Sequence, residues 1–406
     1  MKKEITFPTS GFFMIVNKRA CNSRLLSLAK NTTLSLFKKT SLVLFLITLT
    51  LSSTGILTAY AQAPNITYPG GAKTYPVGSV ITPLTASNTG DPVPANIYIT
   101  STFASGFSSP RGIAMDAAGN LYVAENTASR IKRITPQGVV SVFAGGNYGT
   151  NNGTGIGAEF TKPEGLAIDA AGFIYVTDDN GNQVRKITTP GAVVSTLAGS
   201  GSSGSNDGPG VSATFSSLRH VAVDASGNLY VADSGNNKIR KITPAGDVSV
   251  FAGTGSTLPT SMDGLGSSAT FNSPNGIATD ASGNLYIADT YNHNIRKITP
   301  AGDVSTIAGS GGYNSNDHLT NPLLAGFIEP RGLTIDALGN IYVVDQNGDG
   351  NGNKVRKIST SGEVSTVAGN GSSAPFANGV GTAANFNSPK GIITDASGNL
   401  YVSDTG

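Results

Sequence analysis

Between Asp345 and Asn353 the chain sets oxygen-bearing side chains at alternate positions: Asp345, Asn347, Asp349, Asn351 and Asn353, with Gln346 and three glycines between them. Hard oxygen donors at this spacing suit calcium. The Asp345 and Asp349 carboxylates, the Asn347 and Asn353 side chains and the Asn351 carbonyl would give five protein ligands, and Gly350 permits the turn round the ion. An Asn/Gly-rich hairpin that merely tolerates insertion is the plain alternative. The other metal-binding chemistry is poorly supplied. The chain has 3 His and 1 Cys, and catalytic zinc ordinarily takes three protein ligands. No Ser-His-Asp set or activated cysteine is available for nucleophilic catalysis.

The elements that must carry these residues come from a repeat. A block reading Pro-x-Gly-(Ile/Leu)-x-x-Asp-Ala-x-Gly-Asn-(Leu/Ile)-Tyr-Val-x-Asp begins at Pro110, Pro163, Leu218, Pro274, Pro330 and Pro389. The first acid falls six residues on (Asp116, Asp169, Asp224, Asp280, Asp336, Asp395) and the second nine further, while a Phe precedes every block by three. Each copy predicts four short strands, a to d: Gly-Ile-Ala-x-Asp, Asn-Leu-Tyr-Val-Ala, Ile-Arg-Lys-Ile and Val-Ser-(Val/Thr)-x-Ala-Gly. They are rich in the β-branched and aromatic residues that pleated surfaces favour. Asp-Ala-Ser-Gly-Asn and Thr-Pro-Ala-Gly-Asp make the a–b and c–d turns. One such meander cannot bury both faces, but a ring of them can. The sequence therefore predicts an all-β, six-bladed β-propeller of four-stranded antiparallel blades over 97–406. Its last blade is truncated after strand b at Asp404 and closed by an N-terminal strand over Ile97–Ala104.

In such a ring the d–a and b–c loops share the face where strand a begins. The residue before each strand-a glycine then forms a circle at the channel mouth: Arg111, Glu164, Arg219, Asn275, Arg331 and Lys390. His220 replaces that glycine in blade 3 alone and belongs to the same mouth. Four cations in a circle suit a small anion, with arginine offering forked donors to a carboxylate or sulfate. The bland expectation is that they pair with strand-b acids such as Glu125, Asp233 and Asp345. The Tyr of strand b and both Asp columns recur in every copy and are expected to serve the blade.

The blocks resemble NHL repeats, and the linkers Asn206–Gly210 through Ala213–Phe215 and Asp263–Gly264 through Phe271 are similar to the bacterial subgroup. The resemblance covers 97–406 and implies a six-bladed propeller, but no single activity, because such propellers include lyases, lactonase-like hydrolases and protein, glycan or RNA binders. Amidating lyases of this fold class carry one His per contributing blade at the mouth. Only His220 matches that position, with His293 in a b–c loop and His318 in a d–a loop, so no zinc is expected. Lactonase-like propellers hold a central calcium. Glu164 and Asn275 could begin such a site, but the four cations oppose it. The Asp345–Asn353 loop resembles the calcium hairpins of integrin-type propellers. A helical EF-hand is excluded, since Arg356 stands where its bidentate Glu belongs.

The first 61 residues differ in kind. Lys30, Lys38 and Lys39 precede an apolar run from Leu42 to Leu57, followed by Ala59-Tyr60-Ala61. That order reads as an export leader with a cleavage site, an uncleaved anchor being the alternative. The leader contains eight Lys or Arg, one acid and Cys21. Beyond it stand 19 basic and 24 acidic residues, a net of −5, from a whole-chain net charge of +2. The basic excess thus lies in the leader and gives no reason to expect a nucleic acid. Residues 62–96, rich in Pro, Thr and Gly, read as a linker or a short stub similar to the opening of bacterial Ig-like modules. Together these features predict a secreted, periplasmic or cell-surface module that binds or scaffolds a protein, glycan or cell-wall ligand without catalysis. The alternative is a calcium-dependent lyase or lactonase-like hydrolase.

Overall fold

The computed structural model describes residues 11–20, 66–67, 87–88 and 96–405, the last span without 257–260, 347–351 and 373. The chain divides into two units, one of Met1–Lys18 with Tyr98–Gly406 and one of Arg19–Ile97. In the second, Ile66–Thr67 pairs antiparallel with Ser87–Asn88. The remainder of the expected linker and the basic and apolar segments of the expected leader lie outside the described residues. Among the described residues no helix is long and apolar enough to cross a membrane.

The first unit is an all-β propeller of four-stranded antiparallel blades. Five blades are meanders of consecutive strands, as in Leu218–Val223, Leu229–Asp233, Lys238–Ile242 and Val248–Ala252. A further sheet is composite. Its strands a and b are Pro389–Thr394 and Leu400–Asp404; Gly11–Ala20 lies beside strand b, then come Asn96–Phe107 and Gly379–Val380. Gly11–Ala20, which falls within the span expected as an export leader, takes the position of strand c here. An apolar, aromatic run such as Phe12 to Val16 has the strand preference to occupy the edge that Leu400–Asp404 presents.

Burial grades outward from the channel. Strand b is buried throughout in four blades and at all but its tyrosine in Leu285–Asp289 and Leu400–Asp404, because neighbouring blades cover both its faces, whereas strand d alternates with exposed serines such as Ser249. The core therefore sits between blades. Ala167 and Tyr175 of the second blade pack with Val221, Leu229 and Val231 of the third.

Each recurrent column has a structural task. Asp116 accepts from the backbone N–H groups of Ala118 and Asn120 at 3.0 and 2.8 Å and from the Tyr122 hydroxyl at 3.2 Å, tying strand b to its own turn. Asp280 does the same with Asn284 and Tyr286. The second acid accepts from the N–H just after the conserved-position Phe: Ser216 to Asp233, Asn272 to Asp289 and Ile328 to Asp345, each at 2.8 Å.

Against that acid lies the middle arginine of strand c, fully buried in four blades (Arg185, Arg240, Arg296, Arg356). Arg296 shows the arrangement. It bonds Asp289 at 2.9 Å, the linker's Asp263 at 2.7 Å and the Thr270 and Met262 carbonyls at 2.9 Å, with its guanidinium 5.2 Å from the Phe271 ring centre. In the first blade Lys132 and Glu125 replace the Arg–Asp pair, 3.3 Å apart over Phe107. The composite sheet breaks the pattern. Met14 faces Val402 where Arg240 faces Val231 in the third blade, and burial lifts Asp404 well above the ordinary carboxylate range.

Replacing Arg296 with Leu strands Asp289 as an uncompensated buried acid, so urea unfolding should show a loss of about 3–5 kcal/mol. Asp263→Asn, whose side chain is 50% exposed, should cost no more than about 1 kcal/mol. Equal losses from both would mean that the linker acid, not the strand-b acid, holds the arginine.

Candidate functional site at the channel mouth

Strand a begins with an irregularity. Its register against strand b slips between the first and fourth residues, as between Pro110/Ile113 and Pro330/Leu333. Such a bulge frees the intervening residues from the ladder and re-aims them. Neighbouring inner strands then approach so closely that a Cβ would not fit. One built on Gly112 would lie 2.4 Å from the Glu164 carbonyl oxygen, on Gly276 2.0 Å from that of Arg331, on Gly332 2.4 Å from that of Lys390, and on Gly391 2.4 Å from that of Arg111. This close approach, rather than turn geometry, explains the glycine of strand a.

The structure brings all seven expected mouth residues to one cavity of about 280 Å³. Arg111, Glu164, Arg219, His220, Asn275, Arg331 and Lys390 line it, joined by Tyr291. The bland pairing is corrected in its partners. Glu125, Asp233 and Asp345 stay within their blades, facing strand c and the backbone ahead of strand a. The mouth cations turn instead to Glu164, which receives Arg219 at 3.3 Å and the Asn126 amide at 2.9 Å, with Arg111 at 4.0 Å. Asp179 also takes Arg219, at 3.3 Å, and Glu329 takes Arg331, at 2.5 Å. The Nε–H groups of Arg111 and Arg331 are buried and find no acceptor among the described residues.

A second ring, missed from the sequence, latches five strand-b ends to the strand a that follows. It is the residue directly after the strand-b acid. Asn126 reaches Glu164, Asp179 reaches Arg219, Thr290 donates to the Pro330 carbonyl at 2.8 Å, Gln346 accepts from Lys390 and Thr405 donates to the Pro110 carbonyl at 3.0 Å. Its signal was available: this position varies from copy to copy while the acid before it does not.

The electrostatics are uneven. Burial raises Glu164 above the usual carboxylate range, with Arg111 and Arg219 opposing. His220 is pushed down to about 4 by burial and by the adjacent Arg219 and Arg111, so it is neutral at pH 7. Lys390 is lowered to about 7, first by burial and then by Arg331 and Arg111, with Glu164 and Glu329 opposing.

The other expected sites fare differently. His293 and His318 are not at the mouth. The His293 ring bonds the Ile328 carbonyl and meets Tyr313 edge-on, while His318 Nδ1 accepts from Asn321 N at 3.0 Å. Of the calcium loop, Asn347, Asp349 and Asn351 lie outside the described residues. Asp345 is directed into the blade, where it holds Ile328 N, Glu329 N, Ser315 and Arg356. Asn353 is buried and donates to the Ser372 carbonyl at 3.2 Å. Among the described residues no group of three or more His, Cys, Asp or Glu is placed to hold a metal.

A family model described as NHL repeat matches residues 215–242 and 271–298. In those spans the propeller is built of NHL repeats. The matched spans run from Phe215 and Phe271 to the ends of the strands carrying Arg240 and Arg296, so they contain each buried arginine, its strand-b acid and the ring beneath it, but not the linker acids Asp207 and Asp263. The chain is similar to human NHL repeat-containing protein 2, at 32% identity over 166 residues (38% of this chain, 23% of that protein). It is also similar to human Teneurin-4, at 28% identity (47% of this chain, 8% of that protein). The NHL propeller thus spans under a quarter of the length of these relatives. Among solved structures it shares its fold with a protein of unknown function from Bacteroides thetaiotaomicron, at TM-score 0.53 and 21% identity over 73% of this chain and 70% of that one. It also shares it with an auxiliary nutrient binding protein from the same organism, at TM-score 0.55 and 16% identity over 74% and 68%.

The depressed His220 gives a pH test. The unfolded imidazole protonates near 6.5 but the folded one only near 4. The unfolded state therefore binds more protons in that window, and stability falls as pH drops through it. His220→Gln should flatten the pH dependence of the melting temperature between about 6.5 and 4. An unchanged slope would mean that His220 titrates normally and faces solvent.

Proposed function

We propose that this NHL propeller is a binding module whose channel mouth accepts a small anionic ligand, such as the carboxylate or sulfate group of a glycan or cell-wall component. The observation that carries the reading is the charge account of the mouth. Three acids, Glu164, Asp179 and Glu329, face four cations, and Lys390 is left with an amide partner in Gln346. A cavity of about 280 Å³ lies just below the size range of ordinary ligand pockets, about 300–1,000 Å³, and suits one small polar group better than a large apolar one. The same reading takes the composite sheet as a sixth blade that closes the ring, with Asn96–Phe107 as its outer strand. It places the protein outside the cytoplasm, on the strength of the leader pattern before Gln62, cleavage of which would leave the edge of Leu400–Asp404 to a strand other than Gly11–Ala20.

The test is calorimetric titration with glucuronate at low salt. The natural protein should bind, and affinity should fall as salt rises. A variant combining Arg111→Gln, Arg219→Gln and Arg331→Gln with Glu164→Gln, Asp179→Asn and Glu329→Gln, which leaves no stranded acid, should fold and bind about 100-fold more weakly. That is what two lost charge-assisted contacts of about 1.5 kcal/mol each amount to. Binding undiminished in that variant removes the mouth as the site. A lyase or lactonase-like hydrolase is the second reading. Glu164, an acid raised by burial at the mouth, is the feature that favours it, and turnover of a lactone abolished by Glu164→Gln would establish it.

Calcium is a separate proposal, confined to the loop after Asp345. With Asp345 engaged in the blade, Asp349 supplies the main charge and affinity belongs in the range of about 10⁻⁴–10⁻³ M typical of extracellular modules. Millimolar calcium should raise the melting temperature by mass action, and Asp349→Ala should remove that rise. A melting curve unmoved by calcium leaves only a hairpin.

A further inference from the structure

We propose that Lys390 is a carbonyl-reactive amine, and that the mouth captures small α-oxo acids as a reversible imine on its Nζ. The inference rests on the anion-accepting reading of the mouth and adds to it a covalent contact with a defined ligand class.

Three observations converge. The first is the partner of Lys390. In the second blade the residue after the strand-b acid is Asp179, which meets the ring cation Arg219 with a charge. In the fifth blade the same position is Gln346, so Lys390 meets an amide oxygen and forms no ion pair among the described residues. A half-buried ammonium held by an amide rather than a carboxylate gives up its proton more readily, as catalytic and Schiff-base lysines do.

The second is its company. Lys390 lines the cavity with Arg111 and Arg331, whose side chains keep 26% and 19% of their surface exposed. A molecule with a carboxylate next to a carbonyl meets both requirements: guanidinium donors for the carboxylate and an amine for the adjacent carbon. The third is electrostatic. Burial together with Arg331 and Arg111 lowers Lys390 to about 7. At neutral pH its free amine is then about a thousandfold more abundant than that of a lysine near 10.4.

The chemistry balances without a co-reactant. The neutral amine adds to the carbonyl carbon, and the nitrogen lone pair forms the C–N bond while the C=O π pair moves to oxygen. Proton transfer from nitrogen to oxygen gives a neutral carbinolamine. Its hydroxyl departs as water with one added proton, leaving a protonated imine. From the ammonium form overall, one cation and one carbonyl become one iminium and one water. Hydrolysis reverses it, so the step is capture rather than turnover.

The experiment treats the full chain with pyruvate and cyanoborohydride at pH 7 and maps reduced adducts by peptide mass spectrometry. Lys390 should be labelled at least about tenfold more than Lys241 and Lys297, half-buried strand-c lysines that lie over tyrosine rings. The adduct should vanish in Lys390→Arg, whose melting curve checks its fold. Labelling by acetone, which lacks the carboxylate, should be far weaker at Lys390. Equal labelling of all three lysines, or acetone labelling equal to that by pyruvate, overturns the proposal. Lactate, with the carboxylate but no carbonyl, separates the two readings. Lactate binding without pyruvate labelling leaves the anion mouth standing and removes the imine. Selective pyruvate labelling that persists in the Gln variants of Arg111 and Arg331 keeps the amine and removes the carboxylate-accepting mouth.

Discussion

A guanidinium buried between blades is the constraint round which this fold is organised. Desolvating such a charge costs several kcal/mol unless acids and carbonyls surround it. Each arginine here reaches the strand-b acid, the linker and the carbonyl before a buried phenylalanine, with that ring beneath it. One side chain thereby ties strand c, strand b and the incoming linker into a unit. The first blade keeps the scheme with other parts. Lysine loses the fork of arginine, the acid lengthens to Glu125, and Arg130 joins it from the edge of strand c. Where Met14 takes the arginine's register position, Asp404 is left to backbone donors and its acidity falls.

The clasp sets the blades, and the blades' convergence sets the mouth. Inner strands come within van der Waals range, so glycine is demanded at five positions of strand a and the chain bulges beside it. The bulge turns one residue per blade toward the channel. The third blade departs from this with His220, whose backbone meets Gly165 of the blade before it. Function in such an array collects where the repeats disagree, because positions common to all copies are consumed in holding the ring together.

That disagreement gives the mouth its character. Two arginines share one buried acid, a third has its own, and the lysine has an amide. Burial first, and then the crowding of like charges, raises the cost of each added proton, which is why His220 is neutral and Lys390 is lowered in the same cavity. The arrangement keeps one amine less basic than an ordinary lysine.

The sequence alone determined the local units. Turn residues, β-branched strands and the invariant distance from Pro110 to Glu125 specify a four-stranded meander, because those preferences act over a few residues. The circle of mouth residues was also legible, since one column of a repeat must land at one height of the ring. What the sequence could not supply was which side chains meet across blades. Asn126 to Glu164 and Gln346 to Lys390 depend on how closely neighbouring blades pack, and Asp345 is buried against Arg356 of its own blade in the same close packing. A loop pattern that read as five calcium ligands lost Asp345 to that packing. Spacing along a chain lists the oxygen donors, but only the folded ring decides which of them still face the loop.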